Sequence, residues 1–286
     1  MLEQAFPCFV KRRKYMEFKQ ITTKENVRFE AYIHTDHEEL NVGKRKAIVV
    51  CPGGGYGFLS EREAEPIALK FFAEGFNAFV LRYSVGKDAA NFNPLCEILL
   101  TIKHLRENAD EYNVIKDRVF AIGFSAGGHL AASAATLWDI PEIEDRVGSD
   151  REICKPDGVI LCYPVIDAGE YTHFWSIQNV SGKEQPTKED VELFSLQNHV
   201  KPTTPPAFLW HTAEDAAVPM ENTLLYAFAM RKNKVPVEVH IYPKGNHGLA
   251  LCNKETWSRY ESHVMPYVEG WIDLAINWTD KFPEFK

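Results

Sequence analysis

The sequence predicts an α/β fold: a mostly parallel sheet with helices on both faces and an antiparallel hairpin at its N-terminal end. Three observations predict it. Continuous apolar runs alternate with amphipathic helical stretches, as βαβ units do. An alternating segment precedes them, the pattern of a half-exposed hairpin. One apolar run, Val119-Phe120-Ala121-Ile122, passes through Gly123-Phe124-Ser125-Ala126-Gly127 directly into an Ala-rich helix.

Taken in order, residues 15–34 read as two strands, with Val27-Arg28-Phe29-Glu30-Ala31-Tyr32-Ile33 alternating apolar and polar. Ala47-Ile48-Val49-Val50-Cys51 is continuously apolar, as a strand buried on both faces should be. Similar runs occur at 78–81, 119–122, 159–162 and 207–210, while 237–242 alternates and belongs nearer an edge. Helices are expected at 61–74, from Asn93 as cap with Pro94 in the first helical position, and at 126–137, 219–232 and 254–277. Leu95, Ile98, Leu99, Ile102 and Leu105 mark one face of the second.

The chain reads as a single domain over 1–286, with no internal repeat and no linker. About forty residues separate the strand ending near Pro164 from the one starting near Ala207. Connections this long inside a compact domain are usually functional, and the stretch at about 168–205 reads as a small cap-like insertion over the mouth of the active site.

A net charge of -8 argues against nucleic acid or an anionic membrane as partner. Lys11-Arg12-Arg13-Lys14, the one dense basic run, reads as a solvated segment. No apolar window is long enough for a transmembrane helix. Six scattered cysteines without a CxxC pair point to free thiols and a cytoplasmic location. Metal-ligand spacing is absent. The glycine-rich run at 53–57 lacks the Gly-Lys-Ser/Thr of a phosphate loop and matches no dinucleotide fingerprint, so no cofactor is expected.

The chemistry lies in four segments. Gly-x-Ser-x-Gly between a buried strand and a helix is a nucleophile elbow, which makes Ser125 the candidate nucleophile. A serine hydroxyl needs a base and an orienting acid. His247, on a glycine-flanked loop after the last strand, is the candidate base, since histidines titrate near neutrality. Asp215, in the loop beyond 207–210, is the candidate acid, with Glu214 and Asp167 as competitors. His129 and His211 read as structural. Pro52-Gly53-Gly54-Gly55-Tyr56-Gly57 follows a strand where esterases of this architecture carry an oxyanion loop, and the N–H groups of Gly54, Gly55 and Ala126 are the expected donors. Tyr56, Tyr83 and Trp175 are candidates for lining an acyl or sugar pocket.

Together these segments resemble the α/β-hydrolase superfamily, and within it the acetyl-xylan-esterase-like and hormone-sensitive-lipase-like esterases, often called sugar esterases. The resemblance rests on Pro-Gly-Gly-Gly-Tyr at 52–56, Gly-Phe-Ser-Ala-Gly-Gly-His at 123–129, His-Thr-Ala-x-Asp-x-x-Val-Pro at 211–219 and Pro-x-Gly-x-His-Gly at 243–248. It favours Asp215 over Glu214. Leu81-Arg82-Tyr83 and the stretch from Ser60 to Pro66 fit as well, so the likeness spans roughly residues 20–278. It implies an α/β-hydrolase fold and hydrolysis of short acyl esters, among them acetyl groups on sugars or xylo-oligosaccharides; dimers are common in such enzymes. A general carboxylesterase or lipase, a small serine peptidase and a non-catalytic binding protein of the same fold are the competing readings. The peptidases usually carry a large extra domain for which this chain has no room, and the binding proteins typically lose a triad member.

Overall fold

The computed structural model describes residues 15–35 and 43–285. The basic run at 11–14 and Cys8 lie outside the described residues. The strands are β1 (Met16–Thr22), β2 (Arg28–His34), β3 (Arg45–Cys51), β4 (Asn77–Leu81), β5 (Val114–Phe124), β6 (Gly158–Cys162), β7 (Ala207–Thr212) and β8 (Val237–Tyr242). The helices are α1 (Glu65–Ala73), α2 (Asn93–Glu107), α3 (Ala126–Thr136), α4 (Glu144–Val147), α5 (Phe174–Ser181), α6 (Lys188–Phe194), α7 (Glu221–Lys232), α8 (Pro266–Glu269) and α9 (Trp271–Asp280).

The strands form one sheet in the order β1-β2-β4-β3-β5-β6-β7-β8. β2 runs antiparallel to both β1 and β4, and all pairings from β4 onward are parallel. The hairpin, the buried runs and the edge position of β8 follow the sequence pattern. Successive strand residues face opposite sides, so β3 feeds two cores. Ile48 and Val50 pack with residues of α1 and α9, whereas Val49 and Cys51 pack with residues of α2, α3 and α7.

Two local expectations are corrected. The stretch 254–277 is not one helix: after a single tight turn at Glu261–His263, helix forms only as the short α8 and then α9. Pro266 has no N–H to continue a helix, so it opens one instead, and Gly270 separates the two pieces. Asn93 does not cap α2. It is the first helical residue, and Phe92 precedes it in the left-handed region (φ 58). The Asn93 side chain donates to the Asp88 carbonyl at 2.9 Å.

The excursion between β6 and β7 carries α5 and α6. α6 starts with a reciprocal cap in which Thr187 Oγ1 accepts the Asp190 N–H (3.3 Å) and the Asp190 carboxylate accepts the Thr187 N–H (2.7 Å). α5 is tied to the loop after β3 by Asn179, which donates to the Gly55 carbonyl at 2.8 Å. Among the described residues no helix is long and apolar enough to cross a membrane.

Candidate active site

Ser125 stands between β5 and α3 with φ 54 and ψ -118, a conformation that non-glycine residues rarely adopt. Such strain costs roughly 1–3 kcal/mol and persists only where the surroundings enforce it. Here the Ser125 N–H donates to the Cys162 carbonyl (3.0 Å), and its own carbonyl accepts from His129 and Val165 (both 3.1 Å). The flanking glycines permit the close approach this needs. A Cβ on Gly123 would fall on the Gly127 carbonyl oxygen, and one on Gly127 would fall on the carbonyl oxygens of Cys51 and Pro52.

His247 lies 2.8 Å from Ser125 through Nε2 and 2.7 Å from Asp215 Oδ2 through Nδ1. A carboxylate only accepts, so Nδ1 carries the proton and Nε2 is free to accept from the serine hydroxyl. Asp215 Oδ1 accepts the N–H groups of Ala217 (3.0 Å) and Val218 (2.9 Å). Burial pushes the Asp215 carboxyl up, but hydrogen bonds from His211 and His247 outweigh it and hold the group well below the usual carboxylate range.

His211 is fully buried, donating from Nε2 to the Val218 carbonyl (2.9 Å) with Asp215 Oδ2 at 3.3 Å, and accepting from Thr223 at Nδ1 (2.8 Å). The competing acids are engaged elsewhere. Asp167 accepts from Gln197 (2.7 Å) and from the Tyr171 N–H (2.9 Å), and Glu214 pairs with Lys244 at 3.4 Å on the surface.

His129 is buried one turn into α3. Its Nε2 donates to the Phe194 carbonyl (3.0 Å), and its Nδ1 accepts from Tyr56 Oη (2.9 Å). Burial lowers its pKa from 6.5 to about 4. Above pH 6.5 neither folded nor unfolded chain binds this proton and the stabilisation is complete. Between pH 6.5 and about 4 only the unfolded chain takes it up, so stability falls with falling pH, by about 3 kcal/mol in all. Urea denaturation at pH 7 and pH 4.5 should show this slope in the wild type and a shallower one in His129→Gln.

Beside Ser125 and His247 opens a cavity of about 300 Å³, lined also by Gly54, Gly55, Phe58, Arg62, Glu63, His173 and Trp175. The Gly53 N–H is taken by Glu63 Oε2 (3.0 Å). Among the described residues no acceptor engages the N–H of Gly54, Gly55 or Ala126. Trp175 stands at the cavity, half exposed (46%), its ring tilted and 6.4 Å from that of Phe58. A Cβ on Gly55 or Gly57 would strike the indole, so the loop and the ring lie in direct contact.

Tyr56 and Tyr83 are corrections. Both are buried, with Tyr56 bonded to His129 and Tyr83 Oη donating to the Pro52 carbonyl at 2.5 Å. They brace the loop from beneath and do not line the cavity. Phe58, Arg62, Glu63 and His173 were missed by sequence reasoning, although the Ser60–Pro66 stretch and the His173-Phe174-Trp175 cluster carried the signal. Burial lowers the pKa of His173, and the neighbouring His247 adds to it. Among the described residues no group of three or more His, Cys, Asp or Glu side chains is placed to hold a metal ion.

The sequence matches the BD-FAE family over residues 35–230. The chain belongs to the BD-FAE family. Among its relatives is an endo-1,4-beta-xylanase B of Butyrivibrio fibrisolvens, 40% identical over 232 residues that cover 80% of this chain and 35% of that protein. An acetylxylan esterase of Xylanibacter ruminicola is 32% identical over 234 residues, covering 79% of this chain and 45% of the relative. The chain thus spans less than half of either curated relative. Among solved structures, an acetyl ester-xyloside bifunctional hydrolase from Caldicellulosiruptor lactoaceticus superposes with a TM-score of 0.77 at 35% identity, covering 91% of this chain and 90% of that one. This BD-FAE member therefore has the α/β-hydrolase fold, built as the eight-stranded sheet described above.

Proposed function

We propose that this protein is a serine esterase that removes short acyl groups, foremost acetyl, from sugars or xylo-oligosaccharides. The observation that carries the reading is the unbroken hydrogen-bonded line from Ser125 Oγ through His247 to Asp215. The names of the relatives, a xylanase, an acetylxylan esterase and an acetyl ester-xyloside hydrolase, support the sugar as alcohol. Asp215, held ionised, fixes the tautomer of His247 and stabilises its imidazolium. His247 takes the hydroxyl proton as Ser125 Oγ bonds to the ester carbon. The carbonyl oxygen becomes an oxyanion against the N–H groups of Gly54, Gly55 and Ala126. Collapse breaks the bond to the alcohol, which leaves with the proton from His247, and water then hydrolyses the acyl-enzyme by the same route.

The excursion at about 168–205 acts as a cap, and Trp175 offers an aromatic face on which a sugar ring can stack. Among the described residues, the five buried free cysteines fit a reducing compartment. The test is hydrolysis of p-nitrophenyl esters from acetate to decanoate alongside acetylated xylose. Rapid cleavage of acetate together with acetate release from the sugar supports the assignment. A preference for long chains moves it to a lipase. For Trp175→Ala, KM for acetylated xylose should rise about fivefold relative to KM for p-nitrophenyl acetate, since a stacked ring contributes about 1 kcal/mol. An equal change for both substrates would remove Trp175 from the sugar site.

A further inference from the structure

We infer that Glu63 is a positioning residue for the hydrolysis proposed above, a buried carboxylate that sets the oxyanion loop and the histidine loop against one another. It is 3% exposed and lies at the floor of the cavity that holds Ser125. Its Oε2 accepts the Gly53 N–H at 3.0 Å, and its Oε1 accepts the hydroxyl proton of Tyr163 at 2.6 Å. Tyr163 Oη in turn accepts the Ala250 N–H at 2.9 Å, three residues beyond His247. The Tyr163 ring packs against the His247 ring, with centroids 5.1 Å apart at 72°. One carboxylate thereby joins the loop bearing the oxyanion donors to the loop bearing the base, acting through Gly53 and Tyr163.

The orientation of the donors follows from this clamp. Glu63 holds the N–H of Gly53 while the Ser60 N–H holds its carbonyl at 3.0 Å. In a trans peptide the C=O and the next N–H point in opposite directions. Fixing the Gly53 carbonyl on Ser60 therefore aims the Gly54 N–H away from Ser60. Gly53 itself abuts the elbow, where an added Cβ would lie 3.2 Å from Ser125 Cβ. Both bonds to Glu63 come from donors, so an amide in its place would set an NH₂ against one of them and leave a buried donor unpaired.

The test rests on the serine-esterase reading and is built to fail separately from it. kcat and KM for p-nitrophenyl acetate are measured for Glu63→Gln, Tyr163→Phe, the double variant and Ser125→Ala. Each folded single variant should lose kcat by about 10- to 100-fold, with KM within about threefold of wild type. The double variant should be no slower than the slower single, because both substitutions open the same link. Should Glu63→Gln fail to fold, Tyr163→Phe, which keeps the ring, decides alone. A folded single variant within twofold of the wild-type kcat overturns the inference, as does a double loss equal to the product of the single losses. Activity retained in Ser125→Ala overturns the esterase reading instead.

Discussion

Replacing Ser125 with alanine should lower ester turnover by about 10⁴-fold or more while leaving the fold intact. The hydroxyl is the atom that would bond to the acyl carbon, and no nearby side chain can take over. His247 would keep its bond to Asp215 but lose the proton it is placed to receive. The removed group is one oxygen at the cavity floor, and its loss relieves none of the elbow's backbone strain, so the melting temperature should hold within a few degrees. Steady-state rates with p-nitrophenyl acetate, read beside a thermal melt, check both halves. Turnover within tenfold of wild type would remove Ser125 as nucleophile, and with it the proposed reaction.

The second large effect is structural. Gly127→Ala should destabilise the protein by roughly 3 kcal/mol, because overpacking in a tight core costs about 1–3 kcal/mol and this site leaves almost no room to relax. The added methyl would fall on the carbonyl oxygens of Cys51 and Pro52, where β3 hands over to the glycine loop. Either α3 moves away from the sheet or the loop shifts, and both displace the groups around Ser125. A drop in melting temperature of about 6–12 °C should accompany a loss of turnover well below the melt. Gly270→Ala is the control. An added Cβ there meets nothing within 4 Å, and the backbone (φ -66, ψ -5) already suits alanine, so stability should stay equal or rise slightly. If both variants behave alike, crowding at the elbow is not what Gly127 relieves.

Much of this architecture was legible in the sequence, for identifiable reasons. Strands buried on both faces must be apolar throughout, which is why 47–51, 119–122, 159–162 and 207–210 could be read directly. The side chains that meet at the elbow were legible too, since Ser125, Asp215 and His247 each follow a strand and sit in motif-bearing loops. What could not be read is which way a side chain turns within such a loop. Tyr56 and Trp175 are both aromatic and both close to the glycines, yet Tyr56 points into the core toward His129 and Trp175 points at the cavity. Nothing in the sequence sets Glu63 apart from the other acids near it, and only the fold shows it to be buried and paired with Tyr163, a hundred residues away. The C-terminal segment misled because its helix-forming residues continue across Pro266, where the backbone cannot follow.

The contact between Trp175 and the glycine loop has a consequence for how such an enzyme can diverge. The indole rests where Gly55 and Gly57 leave no room for a side chain, and Asn179 of the same helix holds the Gly55 carbonyl. Under the proposed function, the part that would select the alcohol and the part that would stabilise the charge are thus one mechanical unit. A bulkier or smaller residue at 175 changes the support of the Gly55 peptide along with the shape of the pocket. New substrate preferences in this lineage would therefore arise by paired changes in the helix and the loop, and exchange of the helix alone should lower turnover even on substrates too small to reach it.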